Sequence, residues 1–195
     1  MINIGILLLA YIVGLFPSAY LYSRLFKKVD VRTMGTGNMG GMNTLVHIGI
    51  LPGILTILTD VAKGYFVVHL ALQYGTLQSL GLLALFMLIL SHNYNPLLNF
   101  NGGKGFANLI GGLLLISPIV IPLSIGTTIL LLPIIKVPRV TAGAAVLTLP
   151  FYLYWQSGQV YQFTVGFAVM ALIFSKHIHN FKWYYYERHE VNNAS

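Results

Sequence analysis

The stretch FANLIGGLLLISPIVIPLSIGTTILLLPII, residues 106–135, decides the fold because its thirty residues include no charged side chain. At a rise of about 1.5 Å per residue, one straight helix of this length would overshoot the roughly 30 Å hydrocarbon core of a bilayer. Ser117-Pro118 offers a turn near the middle, since the residue before a proline avoids helical backbone angles. We therefore predict two membrane helices, over 105–117 and 119–135, joined by this turn.

The rest of the chain is also strongly apolar. Of its 195 residues, 56% are hydrophobic and 8% are charged, against about 25% charged in ordinary globular domains. Further apolar segments are long enough to span a bilayer, and they cover 2–24, 50–72, 77–98, 140–156 and 159–175. The sequence predicts an all-α, polytopic integral membrane protein with seven transmembrane helices. It forms one domain, 1–195, with about ten flexible residues at its C-terminus.

The basic residues predict the orientation of these spans. They follow the first, third, fifth and seventh predicted spans, as Arg24, Lys27, Lys28, Arg32, Lys104, Lys136, Arg139, Lys176, Lys182 and Arg188. The alternate connections contain no Lys or Arg, so the positive-inside rule places the N-terminus outside and the C-terminus in the cytoplasm. The net charge of +7 suits an anionic membrane surface. Nucleic acid is disfavoured, because no dense basic patch with interleaved aromatic residues occurs.

The stretch GTGNMGGMN, residues 35–43, fits the spacing G-x-G-x-x-G of dinucleotide-binding loops. That motif works between a strand and a helix of a βαβ unit, and this one lies between two predicted membrane spans. Two interpretations remain: the glycines of a plain loop, or a nest of backbone N–H groups for an anion. In the second, Thr36, Asn38 and Asn43 supply further donors.

A second glycine-rich stretch, Asn101-Gly102-Gly103-Lys104-Gly105, precedes the fourth predicted span. It is no P-loop, because the leading glycine and the Ser or Thr after the lysine are missing. An ammonium beside the free N–H groups of a helix start still suits a phosphate. The alternative is that Lys104 is only a topology signal. Two such loops on one membrane face favour anion binding.

Asp60 and Lys63 lie within a predicted span, on one side of a helix. Each charge would cost about 3 kcal/mol at the bilayer centre, so the two must face the protein interior or its cytoplasmic edge. They either form a structural pair that anchors the 35–43 loop or contact substrate directly.

His92 and His177 each follow an apolar span, and Asn180 shares a helical face with His177. Each histidine is a polar anchor or a ligand-binding group. The sequence contains no metal-binding spacing and no serine-nucleophile elbow. We expect no metal, no cofactor and no covalent intermediate.

Four stretches, GTGNMGGMN, DVAKG, SHNYNPLLNFNGGKG and KHIHNF, resemble the ordered motifs GSGNxGATN, DxxKG, GHxxPxxxxFxGGKG and RHxxNI of the bacterial acyl-phosphate:glycerol-3-phosphate acyltransferase family. The similarity runs from about Asp30 to Asn180. It implies a seven-span enzyme of the bacterial cytoplasmic membrane whose motifs face the cytoplasm. Its reaction is transfer of a fatty acyl group from acyl-phosphate to the 1-hydroxyl of glycerol 3-phosphate. The products are lysophosphatidic acid, a phospholipid precursor, and phosphate.

The resemblance also implies roles for individual residues. Lys104, His177 and Asn180 are the catalytic candidates: Lys104 binds phosphate, and His177 and Asn180 position the glycerol phosphate. The remaining substrate- or phosphate-binding candidates are Gly35, Thr36, Gly37, Asn38, Gly40, Gly41, Asn43, Gly102, Gly103, Gly105 and Thr141. Asp60, Lys63 and His92 support the site.

The sequence departs from the family motifs at several positions. Gly41-Met42 replaces Ala-Thr, Val46 stands where the family has an arginine, Ala144 replaces a usual serine, and Trp183 takes a usual arginine position. These departures leave open a divergent member with another acceptor, a paralogue with weak activity and a catalytically silent subunit. A small anion carrier is the alternative from another functional class.

Overall fold

The computed structural model describes residues 1–178, and their regular structure is entirely helical. The chain divides into two compact units, Met1–Pro118 and Ile119–Ser195. Each is described by itself below. A single integral-membrane domain over 1–195 stays a prediction, and the expected C-terminal tail lies outside the described residues.

Six α-helices build the first unit: α1 (Ile2–Gly14), α2 (Ser18–Lys27), α3 (Gly41–His47), α4 (Ile50–Tyr74), α5 (Leu80–Asn93) and α6 (Phe106–Ile116). Short 3-10 helices lie at Val31–Thr33 and Pro96–Leu98. Helix α4 packs against α5 and α6, and α1 packs against α5. Asn3 and Thr76 exchange two hydrogen bonds of 2.8 and 3.0 Å. The start of α1 therefore lies beside the connection that follows α4.

The first predicted span, 2–24, is interrupted between α1 and α2. Pro17 has no N–H to donate, and the residue before a proline avoids helical angles, so the helix stops there. The carbonyls exposed by this break are satisfied from distant parts of the chain. Asn95 Nδ2 donates to the Leu15 oxygen at 2.8 Å, and Lys63 Nζ donates to the Phe16 oxygen at 2.9 Å.

Helices α4 and α6 approach each other closely through glycines. A β-carbon on Gly64 would overlap the backbone carbonyl of Asn108, and one on Gly111 would overlap the carbonyl of Val61. Both obstacles are backbone atoms, which cannot swing aside as a side chain can. The glycines thus fix the spacing between α4, which carries Asp60 and Lys63, and α6, which begins at the Lys104 loop.

Replacing Gly64 by alanine is therefore expected to destabilise the protein by about 1–3 kcal/mol, the usual cost of overpacking a filled interior. The measurement is thermal unfolding of the purified protein in detergent. Gly5→Ala on α1 is the matched control, because its β-carbon would meet no atom within 4 Å. Equal melting temperatures for the two variants would contradict the close α4–α6 contact.

Four α-helices build the described part of the second unit: α7 (Val120–Ile135), α8 (Pro138–Ala145), α9 (Leu149–Ser157) and α10 (Val160–Ser175). A 3-10 helix, Val146–Thr148, joins α8 to α9. Helix α7 packs against α8 and α9, and α9 packs against α10. The turn predicted at Ser117-Pro118 separates α6 from α7.

Three helical stretches are long and apolar enough to cross a membrane within residues 1–178: Ile2–Lys27, Ile50–Tyr74 and Leu80–Leu98. Shorter apolar helices are Phe106–Ile116, Val120–Ile135 and Val160–Ser175. Helix α3 was not predicted, because it has only seven residues and begins inside the glycine-rich stretch. Its amphipathicity is inverted, with Asn43 and Thr44 buried while Met42 is 67% and Val46 65% exposed.

Candidate active site

The Asn43 side chain organises the 35–43 loop. Its Nδ2 donates to the backbone oxygens of Val31, Met34 and Asn38 at 3.0–3.2 Å. Its Oδ1 accepts from the N–H and the hydroxyl of Thr36, both at 3.2 Å. The amide proposed as a phosphate donor is therefore engaged within the loop. Asn43 thus holds the loop's shape.

Two glycines give this loop its curvature. Gly35 has φ of 53° and Gly37 has φ of 67°, in the left-handed region that glycine adopts at little cost. The ring of His47 fills the space beside Gly35, where a β-carbon would overlap its Nε2. Side chains at either position would thus disturb the loop.

The loop rests on a small apolar cluster and an ion pair. Ala19, Val31, Met39, Ile48 and Leu98 form the cluster. Arg32 pairs with Asp30 at 2.7 Å and donates to the Leu98 oxygen at 3.2 Å. The Arg32 guanidinium, through its hydrogen bonds, lowers the pKa of the Asp30 carboxyl. Arg32 thereby links the first loop to the segment that leads into the second.

The second loop is held against the C-terminal end of α5. The Gly102 N–H donates to the Asn93 oxygen at 3.3 Å, and the Gly103 N–H donates to the His92 oxygen at 3.2 Å. A β-carbon at Gly103 would overlap the His92 ring, so a glycine is needed there. These two amides are used within the protein.

Lys104 lies next to the start of α6. Gly105, with φ of 80°, is the N-cap residue of this helix of 11 residues. The first N–H groups of a helix have no partner within it, and the helix dipole favours negative charge at this end. Lys104 directly precedes this N-cap residue and lines the same cavity as the first residues of α6.

Both loops line a cavity of about 260 Å³ in the first unit, which we call the loop cavity. Its polar lining residues are Asn38, Asp60, His92 and Lys104. Its other lining residues are Gly40, Gly41, Met42, Ile57, Gly105, Phe106, Ala107 and Ile110. The structure thus brings residues of three predicted motifs to one cavity and adds an apolar wall.

Gly41 explains one departure from the family motif. A β-carbon there, as in the motif's alanine, would overlap the Ile57 side chain. Ile57 therefore occupies the space that an alanine would take, and both residues line the loop cavity. The change in the loop and the isoleucine on α4 fit one another.

Asp60 and Lys63 form a buried ion pair, with 2.7 Å between Lys63 Nζ and Asp60 Oδ1 and side-chain exposures of 7% and 3%. The Ser18 hydroxyl donates to the same Oδ1 at 2.7 Å. Since Lys63 also donates to the Phe16 oxygen, the pair joins α4 to the break after α1 and to the first residue of α2. These contacts brace the break, whereas the sequence suggested an anchor for the 35–43 loop.

His177 and Thr141 lie in the second unit. His177 is buried, and its Nδ1 lies 2.9 Å from the Ile173 oxygen. A carbonyl only accepts, so Nδ1 carries the proton in this contact. The ring lies against Gly143, where a β-carbon would come within 3.0 Å of it. The hydroxyl of buried Thr141 donates to the Val137 oxygen at 3.0 Å, and Asn180 lies outside the described residues.

Sequence reasoning missed several contributors. Ser18 and Asn95 hold the helix break and its neighbours, and Ile57, Phe106 and Ile110 form part of the cavity's apolar wall. Pro17 was a signal for the break. The apolar wall had no such signal, because isoleucine and phenylalanine are ordinary residues of a membrane helix.

Replacing Asn43 by alanine is expected to raise the KM for a phosphate-bearing substrate by about tenfold or more, because buried polar groups of the loop lose their hydrogen bonds. Steady-state kinetics in detergent would measure this. Thr44→Ser, which keeps the hydroxyl that donates to the Gly40 oxygen at 3.1 Å, is the control. An unchanged KM for Asn43→Ala would show that substrate binding does not depend on the loop's shape.

Comparison with known proteins identifies the family. A family model described as glycerol-3-phosphate acyltransferase matches residues 4–185. The chain belongs to this family. The glycerol-3-phosphate acyltransferase of Alkaliphilus metalliredigens is 32% identical over 182 residues, which cover 93% of this chain and 92% of that protein.

Other members of the glycerol-3-phosphate acyltransferase family are also similar. Glycerol-3-phosphate acyltransferase 2 of Dehalococcoides mccartyi strain CBDB1 is 40% identical over 137 residues, or 70% of this chain. The match spans 65% of that relative's length. The resemblance inferred from the four motifs is thus confirmed.

The fold matches a crystal structure of PlsY (YgiH), an integral membrane glycerol 3-phosphate acyltransferase, in its glycerol 3-phosphate form. The TM-score is 0.83 at 23% identity, covering 93% of this chain and 91% of that one. The lysophosphatidic acid form matches with a TM-score of 0.80 at 22% identity. The described residues, 1–178, form an all-helical structure with several apolar helices, and its fold is that of an integral membrane protein.

Proposed function

We propose that this chain is a membrane acyltransferase that transfers a fatty acyl group from acyl-phosphate to the 1-hydroxyl of glycerol 3-phosphate. Lysophosphatidic acid and inorganic phosphate are the products. The observation that carries the proposal is the loop cavity, which combines Lys104 and the α6 N-terminus with an apolar wall. An acyl-phosphate likewise combines a charged phosphate with an apolar acyl chain. Membership of the glycerol-3-phosphate acyltransferase family supports the same reaction.

The polar and the apolar lining residues bind different parts of the acyl-phosphate donor. Lys104 and the N-terminal N–H groups of α6 bind the phosphate, with Asn38 and His92 beside it. The acyl chain packs against Ile57, Ile110 and their apolar neighbours. Burying it there releases about 0.8 kcal/mol per CH₂ group, which favours a long-chain donor.

The chemistry needs orientation more than it needs a covalent intermediate. The acceptor hydroxyl oxygen attacks the acyl carbonyl carbon, and the bond from that carbon to the phosphate oxygen breaks. The hydroxyl proton passes to a phosphate group. The reaction therefore balances without a protein nucleophile. Holding both substrates in place and stabilising the developing negative charge supply the acceleration. His177 and Asn180 are proposed to position the glycerol phosphate.

We also propose seven membrane spans in the bacterial cytoplasmic membrane, with the N-terminus outside and the glycine-rich loops facing the cytoplasm. The distribution of Lys and Arg supports this orientation. The hydrogen bonds between Asn3 and Thr76 support it as well, because both residues belong to the face predicted to be outside.

A direct assay tests the reaction. Purified protein in detergent is given a long-chain acyl-phosphate with or without glycerol 3-phosphate, and phosphate release is followed. We expect release that depends on the acceptor. No release with glycerol 3-phosphate would overturn the proposal; release with another polyol phosphate alone would point to a different acceptor. Phosphate flux in liposomes without release would indicate a carrier.

A further inference from the structure

The two oxygens of the Asp60 carboxylate differ in the hydrogen bonds that they receive from the described residues. Oδ1 receives both Ser18 Oγ and Lys63 Nζ, each at 2.7 Å. Oδ2 has no hydrogen-bond partner among residues 1–178, although the side chain is 3% exposed. A carboxylate oxygen can accept further hydrogen bonds, and Asp60 lines the loop cavity, so a donor that enters the cavity can meet Oδ2 there.

The position of Asp60 identifies where that donor comes from. Asp60 lines the loop cavity together with Lys104, Asn38 and His92. The donor must therefore be a group that enters this cavity. Lys63 and Ser18 fix the carboxylate from the side of the helix break, so its orientation does not depend on a bound ligand.

The chemistry of the substrates narrows the donor to one group. An acyl-phosphate offers only acceptor oxygens at neutral pH, and its phosphate would be repelled by a carboxylate. Glycerol 3-phosphate carries two hydroxyl groups, which are the donors available in the proposed reaction. Repulsion between the Asp60 carboxylate and the phosphate of glycerol 3-phosphate would also orient this molecule, with a hydroxyl group near Asp60 and the phosphate away from it.

We propose that Asp60 Oδ2 accepts a hydrogen bond from a hydroxyl group of the polyol phosphate acceptor and so orients it for acyl transfer. Asp60 is then a catalytic residue that touches the acceptor, and Lys63 and Ser18 are positioning residues that act through it. The transfer step keeps the balance given above, with the hydroxyl proton leaving to phosphate. The inference rests on the proposed function.

The test compares acyl transfer with hydrolysis in the Asp60→Asn variant. Asparagine keeps the shape but replaces a charged acceptor, so transfer to glycerol 3-phosphate is expected to fall by about tenfold to a hundredfold. The KM for acyl-phosphate and its slow hydrolysis in the absence of acceptor are expected to change less than about twofold, because neither involves the acceptor hydroxyl. A merely structural role would lower transfer and hydrolysis together.

Two further variants keep the test decisive. Ser18→Ala removes one donor from Oδ1 and holds the carboxylate less firmly, so the ratio of transfer to hydrolysis should fall, but by less than in Asp60→Asn. If Asp60→Asn alone does not fold, the double variant Asp60→Asn, Lys63→Met removes the stranded charge and should show the same selective loss of transfer. Full transfer by either folded Asp60 variant would overturn the inference.

An acceptor analogue identifies the hydroxyl. The analogue is 3-hydroxypropyl phosphate, which lacks the 2-hydroxyl of glycerol 3-phosphate. If Asp60→Asn loses acyl transfer equally with both acceptors, the contact is to the reacting hydroxyl. A loss seen only with glycerol 3-phosphate assigns it to the 2-hydroxyl. Both outcomes support the hydroxyl contact. A wild-type protein without acceptor-dependent release would instead defeat the proposed function itself, so the two failures are distinguishable.

Discussion

Replacing Lys104 by alanine is expected to lower acceptor-dependent phosphate release by about a hundredfold or more. Lys104 directly precedes Gly105, the N-cap residue of α6, and lines the loop cavity. In the proposed reaction it balances the charge of the phosphate that leaves, and removing one such donor commonly costs about 10²–10³ in rate. The measurement is kcat/KM for acyl-phosphate in detergent, with folding checked by thermal unfolding.

Lys28→Asn is the matched control for Lys104→Ala. It also removes one positive charge near the predicted cytoplasmic face, and Lys28 does not line the loop cavity. Asparagine suits its left-handed backbone, with φ of 57° at the C-cap of α2. The control is expected to keep its activity within about twofold, since an exposed charge is largely screened by salt. Equal losses in the two variants would contradict a local role for Lys104.

Replacing Lys63 by methionine is expected to destabilise the protein by about 3–5 kcal/mol. Breaking a buried ion pair leaves the partner as an unpaired charge. Here that partner is Asp60, whose side chain is 3% exposed. The variant also removes the donor to the Phe16 oxygen at the end of α1. Thermal unfolding in detergent measures the change.

The double variant Asp60→Asn, Lys63→Met separates these two causes. It removes the stranded charge but leaves the Phe16 oxygen without Lys63. It is expected to unfold at a temperature between those of Lys63→Met and the wild type. The difference in melting temperature between Lys63→Met and the double variant measures the cost of the unpaired carboxylate. A double variant no more stable than Lys63→Met alone would show that the lost backbone contact, and not the charge, dominates.

The sequence predicted most of the helices because their signals are local. Long apolar segments bounded by polar or proline-containing turns match α4, α6, α7 and α10 to within a few residues. The turn at Ser117-Pro118 needed only the local preference of a residue before proline. The pattern of charges likewise depends on the chain alone, and it predicts an orientation without any knowledge of packing.

The features that the sequence did not predict depend on distant partners. The break at Leu15–Pro17 is tolerated because Asn95 and Lys63 satisfy its carbonyls from far along the chain. Helix α3 buries the amide of Asn43 and exposes Met42, which reverses the pattern expected of a soluble helix. Pro17 signals the break itself, but neither the groups that satisfy its carbonyls nor the burial of Asn43 can be inferred from composition.

The candidate site could be predicted in part. The glycine-rich loops, Asp60, His92 and Lys104 were found from motifs, and the structure brings members of all these groups to the loop cavity. Its apolar wall could not be predicted from the sequence. The Ile57 side chain on α4 fills the space that a β-carbon at Gly41 on α3 would need, and this fit depends on how the two helices pack. Such a fit is visible only in three dimensions.

Mass spectrometry of the reaction products tests the central claim most directly. The full-length protein in detergent is incubated with palmitoyl phosphate and isotopically labelled glycerol 3-phosphate, and the products are separated and weighed. The proposed function predicts labelled lysophosphatidic acid in amounts equal to the phosphate released, with formation lost in Lys104→Ala. Consumption of palmitoyl phosphate that yields only free palmitate and phosphate would contradict it.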